Sequence, residues 1–167
     1  MDRAAGRWQF KFPACRRVAR DMARFFTKTE AERLLAEVEP AIGEAIRLKA
    51  EFQRAELELQ QIRHHITMSG GVQMDRSSFV EMKRRRDTGI TELKAAIEHI
   101  HSFGCLIKDL DIGLIDFPTL LRGREVYLCW KLGETGIQFW HGVDEGFGGR
   151  KTIDHEFLAN HRGDAAN

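Results

Sequence analysis

Cysteine, proline and tyrosine are scarce in this chain: three, three and one among 167 residues. The cysteines, Cys15, Cys105 and Cys129, are an odd and scattered set, which argues against a disulfide framework and for a reducing, cytoplasmic setting. No apolar run approaches the roughly 20 residues that a membrane-spanning helix needs, so no membrane partner is expected. Charge of one sign is not in excess either. Twenty-six Lys and Arg face 25 Asp and Glu and leave +1, so bulk charge names no nucleic-acid partner. With 43% hydrophobic and 31% charged residues, the chain suits one folded domain rather than a disordered one.

What charge there is lies unevenly. Residues 1–26 carry Arg3, Arg7, Lys11, Arg16, Arg17, Arg20 and Arg24 against Asp2 and Asp21, a net +5 that leaves −4 for the remainder. The segment lacks the apolar stretch of a secretory signal. It reads as a basic arm, an Arg-rich organelle leader, or residues upstream of a start at Met22. Residues 1–24 are therefore expected to lie outside the folded unit.

Thr27 with Glu30, or Thr29 with Glu32, offers a capping box for a helix start. From there Val38, Ala41, Ala45, Leu48, Phe52, Ala55, Leu59, Ile62 and Ile66 recur at steps of three and four, the seam of a long helical hairpin. Pro40 interrupts the pattern and predicts a kink, or a short first helix ending before it. Ser69-Gly70-Gly71 breaks the helix. Ser78 with Glu81 makes a second capping box, and Phe79, Met82, Arg86, Ile90, Leu93, Ile97, Ile100 and Phe103 form the next stripe, stopped at Gly104. Two such helices pack antiparallel, because neither stripe is stable in water alone, and a thin seam invites a second copy. The run Lys83 to Arg86 exceeds one helical turn and has no interleaved aromatic residues, so it reads as a solvated helix face.

After Gly104 the pattern alternates. Cys105 to Lys108 and Gly113 to Phe117 are strand candidates, with Asp109, Asp111 and Asp116 read as turn residues, since their spacing does not fit a calcium loop. Arg124 to Leu132 and Ile137 to His141 flank Gly133-Glu134-Thr135-Gly136, a hairpin signal. Pairing Leu132 with Ile137 sets Trp130 opposite Phe139 and Leu128 opposite His141, on the face toward the helices. The other face then holds Glu125, Tyr127, Cys129, Lys131, Gln138 and Trp140.

The loop that follows, Gly142 to Lys151, contains Asp144 and Arg150. Tyr127, Lys131, Trp140, His141, Asp144 and Arg150 are the candidate ligand-binding residues, with His141 as acid or base and Arg150 as a clamp for an anion. His141 and Asp144 alone are too few to hold a metal, so no metal ligands are assigned and no cofactor is named. The competing reading makes the loop a glycine-rich turn that pairs Arg150 with Asp144 or Glu145. From Thr152 onward the chain reads as a tail, bounded at 154–167 and anchored by Phe157 and Leu158.

The runs Gly113-Leu-Ile-Asp-Phe-Pro118, Arg122-x-Arg124-Glu-Val-Tyr-Leu-Cys-Trp-Lys-Leu-Gly-Glu134, Phe139-Trp-His141 and Asp144-x-Gly-Phe-x-Gly-Arg150 carry a resemblance. So do Phe26-Thr27, Glu30-Ala31, Leu34-Leu35 and Glu37-Val38-x-Pro40 at the front. Together they resemble the bacterial proteins catalogued as domain of unknown function 2203, over roughly Phe25 to Ile153. The resemblance implies a bacterial cytoplasmic setting and no particular activity.

The expected architecture is α+β: a long antiparallel helical hairpin with a short N-terminal helix, packed with a small antiparallel β-sheet, in one domain over 25–153. The leading functional expectation is an interaction or scaffold protein that self-associates through the hairpin. The alternative is a small anionic-ligand or metal-binding protein, or an enzyme, with its site on the sheet and the following loop.

Overall fold

A computed structural model describes residues 24–69 and 76–164. The expected basic extension therefore lies, but for Arg24, outside the described residues, as does the loop from Gly70 to Asp75. Thr27 settles the helix start. Its backbone N–H donates to Glu30 Oε2 (2.7 Å) while Glu30 N–H donates to Thr27 Oγ1 (3.2 Å), a reciprocal box that satisfies two otherwise orphaned amides. Helix α1 then runs unbroken over Lys28–Ser69. Among the described residues no separate short helix precedes Pro40, because Pro40 and Ala36, whose carbonyl loses its donor, both lie on the solvent side. Val38 and Ile42, fully buried on either side, hold the helix to the core across the missing bond.

Helix α2 covers Arg76–Ser102, starting two residues before the expected Ser78. It ends where Gly104, at φ +87°, donates to the His101 carbonyl. The two helices form an antiparallel pair. Ala31, Val38, Ile42, Ala45 and Leu48 of α1 and Leu93, Ile97 and Ile100 of α2 enter one core with the sheet. Toward the tip of the hairpin this burial thins: Leu59 is buried, whereas Leu57, Ile66, Met68 and Val80 are exposed. No helix among the described residues is long and apolar enough to cross a membrane.

The sheet has six antiparallel strands: β1 (Leu106–Asp109), β2 (Leu114–Leu121), β3 (Arg124–Lys131), β4 (Phe139–Gly142), β5 (Lys151–Thr152) and β6 (His161–Arg162). Their order is β1-β2-β3-β4-β5, with β6 on the far half of β2. Strand β2 outruns its expected end at Phe117. Pro118 is tolerated because it falls between the β1 and β6 pairings, and its carbonyl accepts the Phe26 N–H at 2.7 Å. At the other end Gly113 sits at φ +63°, where a Cβ would lie 2.6 Å from that of Leu132.

The β3–β4 register differs by one residue from expectation. Tyr127 faces His141, Leu128 faces Trp140 and Cys129 faces Phe139. The cause lies in the loop. Glu134 places its carboxylate on the Lys131 N–H (2.9 Å), occupying the donor that a tight hairpin would have used, and Ile137 turns into the core, fully buried. Because side chains alternate with a period of two, the slip moves every β4 residue to the opposite face. Trp140 joins the helix side with Leu128, and His141 joins Tyr127 and Cys129.

The stretch read as a tail is structured. A 3-10 turn (Phe147–Gly149) and β5 lead into helix α3 (His155–Asn160), capped by Asp154, and then into β6. Phe157 is buried against Trp140, whereas Leu158 is 43% exposed. Asp164 closes the fold by exchanging hydrogen bonds with Phe25.

Candidate functional site

Three adjacent strands bring Asp116, Cys129 and His141 to one place on the sheet face away from the helices. Asp116 and Cys129 are directly opposed on β2 and β3. His141 on β4 pairs with Tyr127, two residues along β3, the diagonal distance that long side chains bridge. One donor atom from each residue lies within 4.8 Å of the others, and the three residues are 0%, 0% and 2% exposed.

Two hydrogen bonds hold His141. Nδ1 lies 2.9 Å from the Gly142 carbonyl and Nε2 3.2 Å from Asp116 Oδ1. Each ring nitrogen faces an oxygen that accepts hydrogen bonds. The bond to Asp116 accordingly raises the His141 pKa above its ordinary value, against the opposing pull of burial. Asp116 Oδ2 is buried, 3.1 Å from His141 Nε2 and 3.6 Å from Lys108 Nζ. Burial first, and then the Asp116 carboxylate, push the Cys129 thiol up to about 12. Lys108 also lies over the Tyr127 ring at 4.4 Å, and Tyr127 meets the His141 ring edge-on at 5.7 Å.

Of the six residues expected to bind a ligand, this cluster gathers Tyr127 and His141. Lys131 closes β3 beside Glu134. Trp140 lies on the opposite sheet face, between Phe157 and Lys151. Asp144 is exposed in the loop. Arg150 is a structural clamp: it binds both oxygens of Glu134 (2.8 and 2.7 Å) and the Cys129 carbonyl (3.2 Å), and its guanidinium covers Phe139 and Phe147. Glu145 instead pairs with Lys151 and caps Gly142 N–H. Asp116 and Cys129 escaped the sequence reading. Asp116 looked like a turn residue beside Asp109, which does make an Asx turn with the Asp111 N–H. The available signal was the chain Asp116, Cys129, His141 at strand positions, and it converges only in the register that the Glu134 loop imposes.

Thiolate, imidazole and carboxylate are ligands for a borderline divalent ion such as zinc, and poor ones for calcium or magnesium. Tetrahedral coordination at bond lengths of about 2.0–2.3 Å sets donors roughly 3.3–3.8 Å apart, so binding would draw together donors that here lie within 4.8 Å of one another. The bond from His141 Nδ1 to a backbone carbonyl is the outer contact that orients a metal-binding imidazole through Nε2.

A helical hairpin laid on an antiparallel sheet, with a buried Asp-Cys-His cluster on the sheet's outer face, defines an α+β protein with a polar site between strands. The chain belongs to the family described as uncharacterized conserved protein (DUF2203), whose model matches residues 24–153. No curated protein and no solved structure matches it. All three cluster residues fall inside the family unit, whereas α3 and β6 lie beyond its end.

Proposed function

We propose that this protein binds a divalent metal ion of the zinc class through Asp116, Cys129 and His141 Nε2. The supporting observation is the convergence of a carboxylate, a thiol and an imidazole, all three residues buried, with one donor atom of each within 4.8 Å of the others. Titration of metal-free protein with zinc, followed by calorimetry, is expected to show one equivalent bound and a raised melting temperature. Cys129→Ser and Asp116→Asn are expected to lose both. Absence of uptake, or equal uptake by wild type and both variants, overturns the reading. Cytoplasmic residence accompanies it, since the buried Cys105 and Cys129 are free thiols.

An interaction role through the hairpin tip has separate support. Leu57, Met68 and Val80 are exposed there, and the groove between the helices is lined by Glu51, Glu58, Arg84 and Arg85 around Phe52 and Gly89. A second copy would cover these exposed apolar residues, so we propose a homo-oligomer joined at the hairpin. Native mass spectrometry is expected to give a dimer or higher assembly that Leu57→Glu dissociates; a monomer at micromolar concentration rejects it.

A further inference from the structure

Two cations act on the cluster, and they are held differently. Arg150 is committed to Glu134 and to the Cys129 carbonyl, with its side chain 10% exposed. Lys108 has the Asp116 carboxylate at 3.6 Å and the Tyr127 ring beneath it, and 36% of its side chain is exposed. It reaches the site from β1, an edge strand, at the bulge between Ile107 and Asp109, where an extra residue re-aims the side chain. Asp116, Cys129, Tyr127 and His141 are 7% exposed or less. Of the two side chains that pair with Asp116, Lys108 and His141, Lys108 is the exposed one.

We infer that Lys108 is the exchangeable counter-cation of this site: it pairs with Asp116 in the metal-free protein and leaves for solvent when a divalent ion takes its place. The inference rests on the metal-binding reading above. The reasoning is electrostatic. An ammonium a few ångströms from a divalent ion is repelled strongly wherever the local dielectric is below that of water. A lysine with an exposed stem relieves that repulsion by swinging outward at small cost, which Arg150, bonded at three points, does not. The metal-free fold keeps a counter-charge for its buried carboxylate, and the cost of evicting it sets a threshold that weakly binding ions do not pass.

The test compares zinc affinity and melting temperature, with and without zinc, in wild type, Lys108→Met and Lys108→Arg. Methionine keeps the stem and removes the charge. Its zinc affinity is expected to rise at least about tenfold, while its metal-free melting temperature falls and zinc restores it. Arginine keeps the charge and is expected to stay close to wild type. Should Lys108→Met fail to fold without metal, Lys108→Gln supplies the same comparison. Equal or weaker zinc binding by the uncharged variants, with wild type binding normally, overturns the counter-cation role and leaves the metal site standing. No zinc binding by wild type overturns both.

Discussion

Arg150 carries the loop after β4. Its two bonds to Glu134 and one to the Cys129 carbonyl tie the loop, the β3–β4 turn and the strand bearing a candidate ligand into one unit. Burial disfavours the charge of Glu134, but Arg150 outweighs it and holds the carboxyl below the usual range. Arg150→Ala is expected to destabilise the fold by about 2–3 kcal/mol in urea denaturation, because a partly buried carboxylate loses its charge-assisted partner. A loss below 0.5 kcal/mol, about what an exposed pair is worth, would contradict the clamp. The Thr27–Glu30 box titrates. Bonds from Thr27 lower the Glu30 pKa from 4.5, so its contribution is present above that value and lost as pH falls through the lowered one. Wild type is therefore expected to lose more stability than Glu30→Gln between pH 5 and pH 3, read as melting temperature; parallel profiles would count against it. The box was legible in the sequence, and so was Gly104. Asp116 was not, because a buried strand aspartate has the same local neighbours as a turn aspartate, and its burial is decided by strands 13 and 25 residues away.

At the scale of elements, the seam from Val38 to Leu59 was readable because helical burial repeats every three to four residues whatever packs against it. Pro40 was readable only in part. Sequence shows the missing donor and not the packing on both sides that keeps α1 continuous. Pro40→Ala is expected to stabilise the protein by roughly 1–2 kcal/mol, the restored bond to Ala36 outweighing the proline's stiffening of the unfolded chain. Destabilisation would mean that the core depends on whatever bend the proline imposes. The sheet register was the least legible feature. A glycine at each end of Gly133-Glu134-Thr135-Gly136 looks like a tight turn, and nothing local announces that Glu134 takes the Lys131 N–H or that Ile137 is claimed by the core. A slip of one residue exchanges Trp140 and His141 between faces, and with them the location of the site.

The whole molecule divides its labour along the hairpin. The base of α1 and α2 shares a core with one face of the sheet, the tip stands beyond it with apolar residues exposed, and the polar cluster lies on the sheet's other face. The proposed metal site and the proposed self-association face therefore lie on separate surfaces, and Leu57→Glu is expected to leave zinc affinity unchanged. The central claim is that Cys129 and His141, with Asp116, enclose a metal ion. Its most direct measurement is the absorption spectrum of the metal-free protein titrated with cobalt(II). The account predicts intense visible bands of a four-coordinate ion together with a near-ultraviolet thiolate-to-cobalt charge-transfer band, saturating at one equivalent and losing the latter in Cys129→Ser. A spectrum that stays that of hydrated cobalt, or a charge-transfer band that survives in Cys129→Ser, would contradict it.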